Sequence, residues 1–158
     1  MSLSTRVRRS SMALIAAGLA ATVTTVVTPV AQAASASDTY EGQIATSTKA
    51  ERSKRSLPTI SWQACLDGYA ERQARAMAAA QRLYHSDVSA MLRDCKLSYA
   101  GENVAMGYPT GTAAVAGWMA SAGHRANILD PHYRLYGHGA VQDSQGRWWA
   151  ANTFGRAA

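Results

Sequence analysis

The chain has 158 residues, of which 47% are apolar and 16% charged, and it includes four tryptophans and seven tyrosines. This composition can bury a core, which excludes a disordered or collagen-like chain, and two cysteines are too few for a small disulfide scaffold. The formal net charge of +6 falls to +3 without the arginine-containing first 33 residues, and the remaining 125 residues fit one domain. So small a charge does not indicate the basic face typical of nucleic-acid binding.

The first 33 residues have the pattern of a secretory signal peptide. A cationic segment, residues 1–9, precedes an apolar stretch, residues 12–27, and the small residues of Ala31-Gln32-Ala33 form a cleavage site. We expect cleavage after Ala33 and a secreted, extracellular protein without a stable membrane anchor. The alternative is an uncleaved anchor, because the uncharged stretch could span a bilayer, but its threonines and Pro29 favour cleavage. Arg8-Arg9 partly matches a twin-arginine signal, so both export routes stay open.

Export determines how the two cysteines are interpreted. Cys65 and Cys95 allow a single pairing, and an oxidising compartment favours a disulfide between them. Closing this loop would stabilise the fold by about 3–4 kcal/mol on the chain-entropy model. A catalytic thiol is the weaker alternative, because it needs an activating partner and must escape oxidation.

Two helices are predicted in the first half of the exported chain. Residues 34–37 are expected to form a flexible leader, after which Asp38 can cap a helix that runs to about Arg55. Leu57-Pro58-Thr59-Ile60 breaks this helix. Ser61 is then a candidate N-cap for a second helix, whose apolar residues recur every three or four positions as far as Tyr84.

Shorter helices follow in the middle of the chain. Residues 88–92 are compatible with one short helix. Thr110 or Thr112 can cap a further helix that runs through Ala120 and buries one apolar face. Residues 124–129 are expected to add one more helical turn before Asp130-Pro131 ends helical structure.

The periodicity changes to that of β-strands near the C-terminus. Residues 133–142 and 147–154 read as strands on either side of the turn Asp143-Ser144-Gln145-Gly146, which predicts an antiparallel hairpin. Gly101-Glu102-Asn103-Val104-Ala105 is intermediate between strand and turn. Helices followed by a terminal hairpin indicate a single-domain α+β fold rather than a doubly wound sheet.

Three residues are candidates for chemistry. His85 lies at the predicted end of the second helix, where the helix dipole favours a cation. Glu102 is flanked by a glycine and apolar residues, so its carboxylate needs a partner, and the neighbouring Asn103 amide can bridge segments. With His124 these residues could bind Zn²⁺ or another divalent cation, serve as a base and its orienting groups, or simply satisfy a polar core. Their separations of 17 and 22 residues match no compact metal motif, so spacing alone favours the last interpretation.

The remaining candidates carry less weight. His132 follows a proline in a loop and is expected to face solvent, whereas strand alternation leaves the face of His138 open. Trp148 and Trp149 should place one indole on each face of the hairpin, one in the core and the other exposed or lining a groove. The chain contains no G-x-S-x-G elbow, which argues against an ordinary α/β-hydrolase.

A series of short motifs resembles bacterial members of the CAP superfamily, which includes cysteine-rich secretory proteins, antigen 5 and pathogenesis-related proteins and is also called the SCP domain family. The resemblance covers about residues 38–156. The motifs are Tyr84-His85-Ser86, Gly101-Glu102-Asn103-Val104-Ala105, Gly117-Trp118-Met119-Ala120-Ser121, Gly123-His124-Arg125-Ala126-Asn127-Ile128-Leu129, Gly137-His138-Gly139 and Trp149 to Gly155.

The resemblance implies an α-β-α sandwich with a central cleft, around which many members arrange two histidines and two acids. His85, Glu102 and His124 match three of these four positions. Ser121 stands where animal relatives have a glutamate. The loss of one carboxylate should weaken the affinity of the site for a cation. It also argues against a catalytic mechanism that uses all four residues, whereas a site of three residues and a water molecule stays possible.

Three functions follow from this resemblance. The favoured one is a secreted module that binds a lipid, a peptide or a cell-envelope ligand. The second is a metal-assisted or His/Glu hydrolase, in which His85 or His124 ligates Zn²⁺ and Glu102 activates water. The third is an envelope-associated structural or interaction protein whose histidines organise the core.

Overall fold

A computed structural model of the chain describes residues 35–158. The predicted signal peptide, its cleavage site and the twin-arginine pattern therefore lie outside the described residues. Within residues 35–158, no helix is both long enough and apolar enough to cross a membrane.

Five helices and four strands form between residues 35 and 158. They are α1 Ala36–Ser53, β1 Ser61–Trp62, α2 Ala64–Ala80, α3 Val88–Asp94, β2 Leu97–Met106, α4 Gly111–Ala120, α5 Ala122–Leu129, β3 Leu135–Gln142 and β4 Trp148–Ala157.

The strands make one mixed sheet in the order β1-β3-β4-β2. The short β1 pairs parallel with β3, and the other pairings are antiparallel. The predicted hairpin is confirmed, because β3 and β4 pair from Leu135↔Gly155 to Gln142↔Trp148. Its turn is held by the Asp143 carboxylate, which accepts hydrogen bonds from the backbone N–H groups of Gln145 and Arg147, each at 2.9 Å.

Helices cover both faces of this sheet, which confirms the α+β sandwich. On one face, α1, α4 and α5 bury a core that includes Ile44, Trp118 and Phe154. On the other face, α2 buries Met77 against Trp149. Alternate β4 residues thus serve two cores, as the pleat of a strand requires.

Two glycines let α2 lie directly on the sheet. A Cβ atom on Gly137 would lie 2.1 Å from the backbone N of Asp67, and one on Gly139 would lie 2.3 Å from the carbonyl carbon of Ala70. Both obstacles are α2 backbone, which cannot rotate away as a side chain can. The Gly137-His138-Gly139 motif is therefore a contact surface for α2.

The first helix begins earlier than expected. Its N-cap is Ser35, not Asp38, and Asp38 instead completes a capping box. The Ser35 hydroxyl accepts a hydrogen bond from the Asp38 N–H at 3.0 Å, while the Asp38 carboxylate accepts one from the Ser35 N–H at 2.9 Å. Residues 36 and 37 of the predicted leader consequently belong to α1.

The second helix is shorter than the apolar pattern predicts. Ser61 lies in β1 and Gln63 is the N-cap instead. The helix ends because Gln81 adopts a left-handed conformation and the Arg82 N–H turns back to the Met77 carbonyl at 3.2 Å. His85 therefore follows the helix in an irregular segment, and the prediction that the dipole of this helix stabilises its charge is wrong.

The predicted disulfide is present. Cys65 in α2 and Cys95 after α3 are bonded, with their Cα atoms 5.6 Å apart. The bond joins these helices beside a small core that contains Leu66, Met91 and Leu97.

Candidate functional site

The candidate residues lie around β2, which is an edge strand of the sheet. Glu102 lies on β2 and faces the α2 side, because it pairs with Thr153, whose hydroxyl donates to the Leu66 carbonyl of α2. His85 comes from the segment after α2, and His124 comes from α5 on the other side. The edge strand thus brings together residues that are far apart in sequence.

Glu102 is buried and held by one neighbour. Its side chain is 1% exposed. The backbone N–H and the hydroxyl of Ser86 both donate to its carboxylate, at 2.9–3.1 Å from the two oxygens. Burial raises the pKa of Glu102, while the Ser86 hydrogen bonds and the nearby His85 oppose that increase. The predicted need for a partner is met by Ser86, which the sequence analysis places in the Tyr84-His85-Ser86 motif but does not identify as the partner of Glu102.

His85 occupies the solvent side of this carboxylate. Its Nδ1 atom lies 3.8 Å from Glu102 Oε2, and its side chain is 56% exposed. The imidazole is therefore accessible to a ligand while it remains beside a buried anion.

His124 is more enclosed than His85. Burial lowers the pKa of His124, and the charge of His85 lowers it further. Both effects favour the neutral imidazole, which can accept a hydrogen bond. The backbone of His124 lies close to Glu102, because its carbonyl accepts a hydrogen bond from the side chain of the adjacent Asn103.

An amide network holds the backbone around these residues. The Asn103 side chain donates to the His124 carbonyl at 2.9 Å, which confirms that this amide bridges segments. The Asn127 side chain donates to the Glu102 carbonyl at 3.0 Å and to Asn103 Oδ1 at 2.9 Å. The network joins α5 to β2 and thereby sets the position of His124 relative to Glu102.

A cavity of about 300 Å³ opens beside His124 and Ser121. Its rim carries Leu83, Met106 and Tyr108, whose side chains are 37–43% exposed. Five large apolar residues between positions 35 and 158 are exposed, and three of them are at this one opening. Sequence reasoning missed all three as site residues, because an isolated apolar residue in a loop or at a strand end carries no local signal.

These residues do not form a complete zinc site. Within the part of the chain that the structure describes, no group of three or more His, Cys, Asp or Glu side chains is arranged to hold a metal ion. The Glu102 side chain is 1% exposed, and Ser121 at the cavity offers a hydroxyl rather than a carboxylate. A tetrahedral zinc centre needs at least three protein ligands, so we derive no chemistry through a bound metal.

The other histidines lie elsewhere. His132 is solvent-facing as predicted, with a side chain 63% exposed and Nδ1 2.9 Å from the Asp130 carboxylate. His138 is buried on the face covered by α1, where its ring packs at 4.6 Å from that of Tyr136.

The two hairpin tryptophans occupy opposite faces as predicted, and Trp149 fills the core under α2. Trp148, however, is partly buried and stacks on Tyr40 at 4.5 Å, rather than being exposed. The second indole thus also contributes to packing.

Comparison with known proteins connects this geometry to a family. Residues 46–153 match the cysteine-rich secretory protein family, abbreviated CAP. The Bacillus subtilis (strain 168) protein YkwD is 32% identical over 124 residues, which are 74% of this chain and 48% of that protein. The chain therefore spans about half the length of this curated relative.

Solved structures show the same fold. An extracellular SCP-domain protein from Bacillus anthracis str. Ames superposes with a TM-score of 0.68 and 26% identity, over 76% of this chain and 41% of that one. An outer surface protein from Borrelia burgdorferi has the same TM-score with 14% identity, over 73% of this chain and 90% of that one.

Proposed function

Because the chain belongs to the cysteine-rich secretory protein (CAP) family, we propose that it is an exported binding module for an amphipathic ligand, such as a lipid, a peptide or another cell-envelope molecule. The main support for this proposal is that three exposed apolar residues, Leu83, Met106 and Tyr108, line one cavity beside His124. Exposed apolar groups that cluster in this way mark ligand or interaction sites, whereas scattered ones do not. Export is supported by the extracellular description of the Bacillus anthracis protein.

The cavity suits a ligand with two chemical parts. Its volume of about 300 Å³ is at the lower end of small-molecule sites, which suits one apolar side chain or a short acyl segment. The neutral imidazole of His124 and the hydroxyl of Ser121 supply polar contacts at the same wall. In this proposal the apolar part of the ligand packs on Met106 and Leu83, and its polar part binds at His124.

The placement of Glu102 supports binding over hydrolysis. A carboxylate that activates water must reach it, as general-base geometry requires. The Glu102 side chain is 1% exposed, and its carboxylate is directed to the N–H and hydroxyl of Ser86. In our proposal Glu102 therefore positions the segment that carries His85, instead of acting on a substrate.

Dodecanoate is a suitable probe, because it joins an apolar chain to a polar head. Titration of the exported protein by calorimetry should show weaker binding for Leu83→Ser and Met106→Ser, by about 10- to 150-fold, as expected for losing about 1.5–3 kcal/mol of apolar contact. His124→Ala should weaken binding of both dodecanoate and dodecanol, because the neutral imidazole can donate one hydrogen bond and accept another.

Trp62→Ser is the matched control. Trp62 is an exposed apolar residue on β1, at the opposite edge of the sheet. Its removal should leave dodecanoate affinity unchanged. Equal losses in Trp62→Ser and Met106→Ser would mean nonspecific adsorption, and the proposed cleft would be wrong.

A further inference from the structure

A second surface feature lies at the other end of β2. Ser98, Tyr99, His132 and Arg156 line a shallow depression of about 370 Å³. We call Tyr99, His132 and Arg156 the Tyr99 platform. It shares no residue with the cleft around His124, and the proposed function does not use it.

The aromatic surface of the platform is rigidly supported. Tyr99 is 43% exposed, and its ring stacks on buried Tyr133 with centroids 5.0 Å apart. Tyr133 in turn stacks on Phe154 in the core at 5.2 Å. A ring held in this way loses little conformational entropy when a ligand packs on it.

Asp130 fixes the orientation of two platform residues. Its carboxylate accepts a hydrogen bond from the Tyr99 hydroxyl at 2.9 Å and from the His132 backbone N–H at 2.7 Å. The same carboxylate lies 2.9 Å from His132 Nδ1. The His132 ring is T-shaped to that of Tyr99, with centroids 5.9 Å apart, and its side chain is 63% exposed. Because Nδ1 donates to Asp130, Nε2 of the neutral ring is a hydrogen-bond acceptor.

Arg156 supplies a positive charge that is not used within the fold. It pairs with Tyr99 across the β2–β4 ladder, and directly paired residues point to the same face. It is exposed, and it takes part in none of the ion pairs found within residues 35–158. The Asp130 carboxylate at the platform is already engaged by Tyr99 and His132, and its carbonyl accepts a hydrogen bond from Arg52 at 2.7 Å.

Another tyrosine of this protein shows what a closed arrangement looks like. Arg72 lies over the ring of Tyr69, 4.5 Å from its centroid, and so covers that ring. The cation–π contacts within residues 35–158 involve Tyr136, Tyr69, Tyr84 and Trp149, but not Tyr99. The Tyr99 ring stacks on Tyr133 with one side, yet the residue stays 43% exposed, and Arg156 is its partner across the β2–β4 ladder.

We propose that the Tyr99 platform binds an acidic sugar residue, with the ring of the sugar on Tyr99, its anionic group on Arg156 and one of its hydroxyls donating to His132 Nε2. The C–H face of a pyranose is apolar and flat, which matches an exposed aromatic ring. A carboxylate fits the planar guanidinium through two parallel hydrogen bonds.

Trigalacturonic acid is the probe for this proposal, maltotriose is its neutral counterpart, and inorganic phosphate tests the anion alone. Added to the isotopically labelled exported protein, trigalacturonic acid should shift the backbone amide signals of residues 98, 99, 132 and 156. Maltotriose should bind at least tenfold more weakly, and phosphate should not reproduce the shifts of residues 98 and 99.

Variants separate the two halves of the contact. Arg156→Gln should weaken trigalacturonate binding at least tenfold, and Tyr99→Ala should do the same, whereas Tyr99→Phe keeps the ring and should retain most of the affinity. Arg72→Gln is the matched control for loss of an arginine beside a tyrosine, and it should bind like the wild type. Unchanged affinity in Arg156→Gln, equal binding of maltotriose, identical shifts with phosphate, or no shift with any probe would each overturn the proposal.

Discussion

At the scale of single residues, the chemistry of Glu102 was easier to predict than its partner. A carboxylate between a glycine and apolar residues has to be satisfied when it is buried, and the sequence alone indicates this. Ser86 supplies both hydrogen bonds. Its position depends on where α2 stops, at Gln81, and on the path of the chain beyond it, so local sequence does not identify it.

His138 should make the folded state sensitive to acid. Burial lowers the pKa of His138 to about 3, from an ordinary value of 6.5, so the fold holds the neutral imidazole. The resulting stability is present above pH 6.5 and is lost as the pH falls toward 3. Between pH 7 and pH 4 the wild type should lose about 3 kcal/mol through this residue, measured as the free energy of unfolding in urea.

His138→Gln removes this titrating group, so the free energy of unfolding of the variant should depend less on pH between pH 7 and pH 4 than that of the wild type. Glu41 changes the stability in the opposite direction. Burial raises the pKa of Glu41 to about 7, so its protonation at lower pH stabilises the folded protein. The comparison is consequently made between variant and wild type at each pH. Parallel profiles for wild type and His138→Gln would contradict the assignment.

At the scale of elements, periodicity located the helices but not their ends. Apolar residues continue at helical spacing as far as Tyr84, yet α2 stops at Ala80 and its N-terminus starts after β1. The spacing reports which side of a segment is apolar, whereas the end depends on how Gln81 and Arg82 close the last turn. In α1, Ser35 and Asp38 form a recognisable capping pair, but either residue alone could serve as the cap.

The contact between α2 and the sheet can be tested at Gly139. Gly139→Ala places a methyl group 2.3 Å from α2 backbone, so the helix must move and the free energy of unfolding should fall by about 2–4 kcal/mol. Gly123→Ala in α5 is the matched control, since nothing lies within 4 Å of its new Cβ. This control should be neutral or stabilise by up to about 1 kcal/mol, as the higher helix propensity of alanine predicts. Similar effects at both glycines in urea unfolding would show that α2 does not pack as described.

At the scale of the whole molecule, export to an oxidising compartment is what allows the disulfide to form and to stabilise the fold. We expect the exported protein to begin at Ala34 and to carry one Cys65–Cys95 bond, so its intact mass should rise by about 2 Da on reduction. Reduction should also lower the free energy of unfolding by about 3–4 kcal/mol. A Cys65→Ser, Cys95→Ser double variant should be insensitive to reductant. Recovery of residues 1–33 on the exported protein would contradict the cleavage prediction.

The sequence by itself determined the fold class, the terminal hairpin, the disulfide and three polar residues of the candidate site. These conclusions depend on local patterns: strand alternation around the turn at 143–146, two cysteines with one possible pairing, and the motifs that contain His85, Glu102 and His124. Tertiary structure decided which surfaces stay uncovered. Whether Met106 or Tyr99 is exposed depends on the outer position of β2 in the sheet and on the helices packed against it, and both follow from long-range pairing that no local pattern records.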